Sequence, residues 1–229
     1  AKRIVQVTMD ARLIEIDAQT GKLCEGFGDK GSVDLMTGLG KVRANVPYYA
    51  YTSAPTIVRN LIILGGWVFD GRSIDEPSGV VRAYSADTGA LVWAWDLGNP
   101  AITKLPPEGQ TYTRSTPNMW STPAVDNELG LVYLPLGNEQ PDFWGGKRPP
   151  LTEKYSSAIV ALDMATGRER WTFQTVHHDI WDYDVAAQPA LYDVPDGKGG
   201  TIPALVQLTK RGQIFMLDRR TGKPIAEVT

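Results

Sequence analysis

The sequence predicts an all-β chain of repeated four-stranded antiparallel units, the organisation of a β-propeller. Three observations carry that expectation. An apolar strand followed by a polar turn closing on Thr-Gly occurs four times, with Gly21, Gly89, Gly167 and Gly222 separated by 68, 78 and 55 residues. Glycine (23), proline (16) and tryptophan (7) are abundant, as suits many short strands joined by turns. No segment sustains the periodicity of an amphipathic helix.

The four turn copies are RLIEIDAQTGK at 12–22, VVRAYSADTGA at 80–90, AIVALDMATGR at 158–168 and QIFMLDRRTGK at 213–223. Polar residues build each turn, and glycine takes the positive φ that closes it. The second and third copies run on into LVWAW and ERWTF. Trp93 and Trp171, four residues past their glycines, are expected to pack between neighbouring sheets. A second submotif, SAPTIV at 53–58, STPAVD at 121–126 and AQPALY at 187–192, leads into a further strand, as in LIILG and LVYLPLG. A full unit therefore has about four strands. Two units are complete, one is partial at the start, and one at the end is incompletely delimited. This is a partial ring of about three to four blades, one domain over 1–229. The spacings exceed the usual ~40–50 residues per blade. The excess falls at 28–51, 98–117 and 138–156, loops expected to build a binding face.

Composition narrows the function. Net charge is −3, so no nucleic-acid partner is expected. No apolar run approaches the ~20 residues needed to span a bilayer; the longest, LIIL at 61–64, reads as a buried strand. The opening AKRIVQV lacks signal-peptide architecture and reads as a boundary inside a larger protein. Cys24 is the single cysteine, expected to be a small buried residue. Half a ring would leave two sheet faces uncovered, so the isolated chain is expected to self-associate.

The densest chemistry lies in VHHDIWDYD at 176–184, directly after the strand-like WTFQT. It gathers two histidines, three acids and two aromatics, the mixture of a ligand pocket. His177 and His178 are the only histidines, and adjacent strand residues face opposite ways, so a tetrahedral zinc site is excluded. No glycine-rich phosphate loop and no GxSxG elbow occurs, which speaks against nicotinamide and serine-hydrolase chemistry.

The AxDxxTGxxxW-type turns and the Trp181-Asp182 pair resemble the pyrroloquinoline quinone (PQQ) dehydrogenases. The resemblance covers essentially the whole chain. DEPSGVVR at 75–82, PDFWGG at 141–146, TVHHDIWDYD at 175–184 and FMLDRRTG at 215–222 resemble most the membrane-bound glucose, quinate and shikimate dehydrogenase branch. That likeness implies an eight-bladed propeller with tryptophan-docking repeats, about half of it in this chain. It implies oxidation of a sugar or cyclitol hydroxyl, with electrons passing to PQQ and then to membrane ubiquinone. A divalent metal, Ca²⁺ or Mg²⁺, would polarise the ortho-quinone. It also implies the periplasmic face of a bacterial inner membrane, held only by an anchor of the parent protein. The alternative is a non-catalytic propeller scaffold of the bacterial envelope, which predicts the repeats without a concentrated set of acids, aromatics and lysine in the loops.

The resemblance assigns roles residue by residue. Asp182, in the Trp-Asp pair, matches the general base; the plain alternative is a solvated loop acid. Trp120, in PNMWSTP, matches the tryptophan that stacks under PQQ, or else is an inter-blade core residue. Lys210, in QLTKRGQIF, matches the donor to the quinone oxygens, with Arg211 as its rival. Thr52 matches a hydroxyl on a PQQ carboxylate. Asp70, after LIILGGWVF, and Asn138, after LPLG, match metal ligands, although both are also ordinary turn residues. His178 is a candidate for the substrate pocket. PQQ-carboxylate arginines elsewhere in the ring have no counterpart to assign.

Overall fold

The computed structural model describes residues 2–42, 49–71 and 73–226, so part of the expected 28–51 loop lies outside it. The first sheet is β1 (Arg3–Val7), β2 (Arg12–Asp17) and β3 (Ser32–Asp34). A two-stranded pair, β4 (Tyr49–Ala50) with β7 (Trp67–Val68), flanks the second sheet. That sheet is β5 (Thr56–Val58), β6 (Leu61–Leu64), β8 (Val81–Ser85) and β9 (Leu91–Trp95). The third is β10 (Ala124–Asp126), β11 (Leu131–Pro135), β12 (Ala158–Asp163) and β13 (Glu169–Gln174). The fourth is β14 (Ala190–Pro195), β15 (Thr201–Leu208) and β16 (Ile214–Asp218). All these pairings are antiparallel. The two four-stranded and two three-stranded blades match the sequence expectation. The only helix among the described residues is one turn, α1 (Pro150–Glu153), inside the 138–156 loop. Pro150 at its first turn presets φ, and one turn is too short to leave a periodicity.

The core lies between sheets. Strand alternation sends Ile62 and Leu64 to a cluster shared with Leu13 and Phe27 of the first blade, and Ile63 to one shared with Val132 and Leu134 of the third. Tyr133, between those two valine and leucine residues, faces Leu205 and Leu217 of the fourth blade. Middle strands buried on both faces therefore read as unbroken apolar runs. The outer faces of the terminal sheets leave Ile4, Tyr192, Leu208 and Ile214 exposed.

The Thr-Gly turns lock the blades together. Asp163 accepts the backbone N–H groups of Ala165 (3.1 Å) and Thr166 (3.0 Å), and Gly167 N–H returns to its carbonyl at 2.8 Å. Gly167 has φ +69°, and a Cβ there would come within 2.6 Å of the Trp93 ring. Trp93 of the preceding blade lies on that turn and donates its indole N–H to Met164 O at 2.9 Å. Trp171 repeats the arrangement one blade on, against Gly222 and Arg219 O at 3.0 Å. Both tryptophans are paired with alanines, Ala83 and Ala161, beside the same register shift. A fully buried guanidinium adds a tie: Arg82 donates to Leu35 O, Thr37 O and Tyr51 Oη, holding the first blade's last segment on the second. Cys24 departs from expectation: it is partly exposed at the margin of the first cluster, because it follows the turn rather than a core strand.

Candidate active site

Every candidate residue lies in a loop. Thr52 follows β4, Asp70 follows β7, Trp120 precedes β10, Asn138 follows β11, Asp182 lies between β13 and β14, and Lys210 between β15 and β16. The 176–184 loop is shaped by a residue given no role from the sequence. Asp179 is fully buried; its carboxylate accepts Trp181 N–H at 2.9 Å, Tyr183 N–H at 2.8 Å and the Ser157 hydroxyl. Arg148, itself buried, donates to Asp179 O. Asp182 lies at φ +61° and His178 at φ +50°, a left-handed backbone that is uncommon outside glycine and that Asp and His adopt more readily than most.

Three of the candidates meet through a fourth residue, Asp184. Lys210 Nζ donates to Asp184 Oδ2 and to Asp182 O, each at 2.9 Å, and lies 3.5 Å from Asp182 Oδ2. Asn138 N–H donates to Asp184 Oδ1 at 2.6 Å. Gly137 makes this approach possible, because a Cβ there would sit 2.9 Å from Asp184 Oδ1. The Asn138 amide donates to Asp142 O at 3.0 Å and accepts the Ser156 hydroxyl at 2.8 Å, so its oxygen keeps one lone pair. Trp120 and Thr52 form a second group. Thr52 Oγ1 donates to Trp120 O at 3.3 Å, and Ser53 donates to the same carbonyl. Asn118 joins the groups, accepting Gly137 N–H at 2.8 Å.

The acids perturb one another. Burial, then the charge of Asp184, raises the Asp70 pKa. Burial, then Asp70, Asp182 and Asp184, push Asp142 to about 7, against the pull of Arg148. Burial and Asp184 lift Asp182 to about 6, against Lys210. For Lys210, burial opposes the charge, but the bond to Asp184 and the charges of Asp184 and Asp182 outweigh it and raise its pKa. This is an acid-rich pocket with one lysine directly on its carboxylates. A hard divalent cation would relieve that repulsion, and oxygen donors are what it takes. Among the described residues no three His, Cys, Asp or Glu side chains converge tightly enough to hold a metal unaided, so a cation here needs the Asn138 amide or oxygen from elsewhere. His178 sits apart from these bonds. Its Nδ1 is 3.0 Å from Glu153 Oε1, and its ring lies against Gly145.

Asp184, Asp142 and Asp179 are the residues that sequence reasoning passed over, although all three stand in quoted motifs. An aspartate two residues before an N–H it can accept is an Asx-turn signal, and Asp179 carries it.

The sequence model of the PQQ family, "glucose/ethanol/alcohol dehydrogenase, beta-propeller domain", matches residues 1–229. The glycerol dehydrogenase large subunit of Gluconobacter oxydans is 48% identical over 99% of this chain, which spans 30% of that relative. The quinate/shikimate dehydrogenase (quinone) of Acinetobacter baylyi is 43% identical over 99% of this chain, which spans 28% of it. A europium-containing methanol dehydrogenase superposes with TM-score 0.74 at 26% identity, covering 100% of this chain and 40% of that one. The chain thus spans about a third of its relatives, and it belongs to the β-propeller family of the PQQ-dependent quinoprotein dehydrogenases.

Proposed function

We propose that the protein to which this chain belongs is a quinoprotein dehydrogenase that oxidises a hydroxyl of a polyol, sugar or cyclitol. The observation that supports this best is the Asp182–Lys210–Asp184–Asn138 constellation, where a carboxylate raised to about 6, a lysine and amide oxygen share one site. PQQ bound with a Ca²⁺ or Mg²⁺ ion would supply an electrophilic quinone as the two-electron oxidant of the alcohol. Asp182 accepts the hydroxyl proton, so the alcohol loses one hydride and one proton and becomes a carbonyl. Lys210, kept charged by Asp184 and Asp182, donates toward oxygen atoms on which negative charge grows. Asp70 and Asn138 would hold the cation, Trp120 would give an apolar floor to a planar ring system, and Thr52 would offer a hydroxyl to a carboxylate. His178, hydrogen-bonded to Glu153, serves at most the outer margin of the substrate pocket. Electrons pass to ubiquinone, and the site works at the periplasmic face of the inner membrane.

The test is reconstitution of the full-length protein with PQQ and Ca²⁺ or Mg²⁺, followed by dye reduction with glycerol, glucose, quinate and shikimate. Cofactor binding with chelator-sensitive turnover of at least one substrate is expected. Absence of both PQQ binding and turnover would overturn the reading.

A further inference from the structure

Asp182 stands between two residues whose backbone N–H groups are held by one side chain. Asp179 accepts Trp181 N–H on Oδ1 at 2.9 Å and Tyr183 N–H on Oδ2 at 2.8 Å. The peptide that leaves Asp182 is therefore bonded at both ends, its N–H to Asp179 and its C=O to Lys210 Nζ at 2.9 Å. Turning the Asp182 backbone about ψ would break both bonds. Closing a loop does not require a fully buried acid. Asp17, Asp163 and Asp218 close their turns from partly exposed positions, whereas Asp179 has no exposed surface. Burial of an acid is costly unless donors meet it, and here three do, the third being the Ser157 hydroxyl.

Two bonded routes run from Asp179 to Asn138. In the first, the Ser157 hydroxyl donates to Asp179 Oδ2, and Ser157 N–H donates at 2.9 Å to the carbonyl of Gly137, the residue before Asn138. In the second, Arg148 donates to Asp179 O and, at 3.1 Å, to Asp142 O. That same carbonyl takes the Asn138 side-chain amide at 3.0 Å. Ser157 is fully buried and the Arg148 side chain is 1% exposed, so water does not compete for these bonds. The ends of the loop are fastened to the same blade, Thr175 N–H to Ser157 O at 3.0 Å and Val185 N–H to Leu136 O at 3.1 Å.

We infer that Asp179 is a positioning residue for the alcohol oxidation, keeping the Asp182 carboxylate and the Asn138 amide in one fixed relation. The inference rests on the reading above, in which Asp182 takes the hydroxyl proton and Asn138 holds the cation. A general base works only within hydrogen-bond reach of its proton, and a displacement of about 1 Å costs about a hundredfold in rate. Asp179 acts through the backbone of residues 181–183, while Ser157 and Arg148 carry the frame across to the amide.

The experiment uses the full-length protein loaded with PQQ and Ca²⁺, and the alcohol that the wild type turns over fastest among glycerol, glucose, quinate and shikimate. Rates are counted per bound PQQ. Asp179→Ala removes all three acceptor bonds and should lower kcat about a hundredfold, with KM and PQQ affinity within about twofold of wild type. Asp179→Asn keeps one acceptor oxygen and should fall between, about tenfold down. Ser157→Ala removes only the hydroxyl tie, should lower kcat about fivefold, and takes the place of the Asp179 variants if those do not fold. Each change is then combined with Asp182→Asn. Because Asp179 acts through Asp182, the double variant's kcat should match that of Asp182→Asn alone within about twofold. Losses that multiply in the double variant, or that appear in PQQ affinity or Tm while kcat per bound PQQ stays intact, overturn the inference. A wild type that neither binds PQQ nor oxidises any alcohol, or an Asp182→Asn variant with normal turnover, defeats the parent reading instead.

Discussion

Asp17 and Asp218 close Thr-Gly turns; Asp70, Asp142 and Asp182 occupy the loops between sheets. In the turns the carboxylates are held below their ordinary pKa. For Asp17 the cause is the N–H groups of Thr20 and Gln19, and for Asp218 the Arg220 side chain. In the loops the same side chain is pushed up, first by burial and then by its acidic neighbours. These two turns satisfy their aspartate charge locally, and each copy closes its own blade. The loops hold like charges close together, with Asp182 and His178 at positive φ and with Glu139 Oε2 and the Gln140 amide buried without a partner among the described residues. Such an arrangement costs stability, and it persists because the blade cores on either side are packed independently of it.

If the two regions do opposite work, exchanging charge for neutral amide should have opposite consequences in them. Asp182→Asn in the full-length holoenzyme should lower kcat by about a thousandfold, the range of a lost general base, while Tm stays level or rises because a repelling charge is gone. Normal turnover would take the base role from Asp182, and a fall in Tm would mean its carboxylate holds the loop. The complementary lesion is Trp93→Ala. It removes the indole seated on the Gly167 turn and should cost about 3 kcal/mol in denaturant unfolding, without a selective effect on KM. Were Trp93→Ala to cost activity and no stability, the division between blade and loop would fail.

The blades were readable because their signals are periodic. Trp93 and Trp171 each lie four residues past a turn glycine and pack between neighbouring blades as expected, seated on the next blade's turn. Burial of every residue in β11 explains why its run is apolar throughout. The site was readable only in outline. Asp182, Lys210 and Asn138 were drawn from motif likeness, yet the residue that bonds two of them, Asp184, has no periodic or local mark that separates it from Asp182 two positions earlier. Its place depends on Gly137 and Lys210, which are 47 and 26 residues away in sequence. Asp142 is likewise defined by its surroundings, because burial and three distant carboxylates set its character. His178, next to acids in sequence, has its ring bonded to Glu153 with the backbone at φ +50°.

A third outcome bears on the terminal blades. Tyr192, Leu208 and Ile214 on one end and Ile4 on the other present apolar faces where the middle blades are covered. The isolated 229-residue chain should therefore associate, giving a mass above the monomer by light scattering. Tyr192→Lys with Ile214→Lys should shift it toward monomer. A monomer at all concentrations without those changes would show that end faces and middle faces are less different than their exposure suggests.

The smallest effect isolates charge in the turns. Asp17 and Asp218 have folded pKa values below the unfolded value of about 3.9, so the unfolded chain binds more protons in that window. Their contribution is full above about pH 4 and is lost as pH falls through the depressed folded values. Asn keeps an oxygen that can accept Thr20 N–H or Arg220 N–H but carries no charge. The Asp17→Asn, Asp218→Asn double variant should thus lose stability near neutrality and converge on the wild type at low pH, so that its urea midpoint varies less between about pH 5 and 3. Curves that stay parallel would mean the turn carboxylates act by hydrogen bonding alone. The contrast with the loop aspartates would then rest on geometry, with charge playing no part on the turn side.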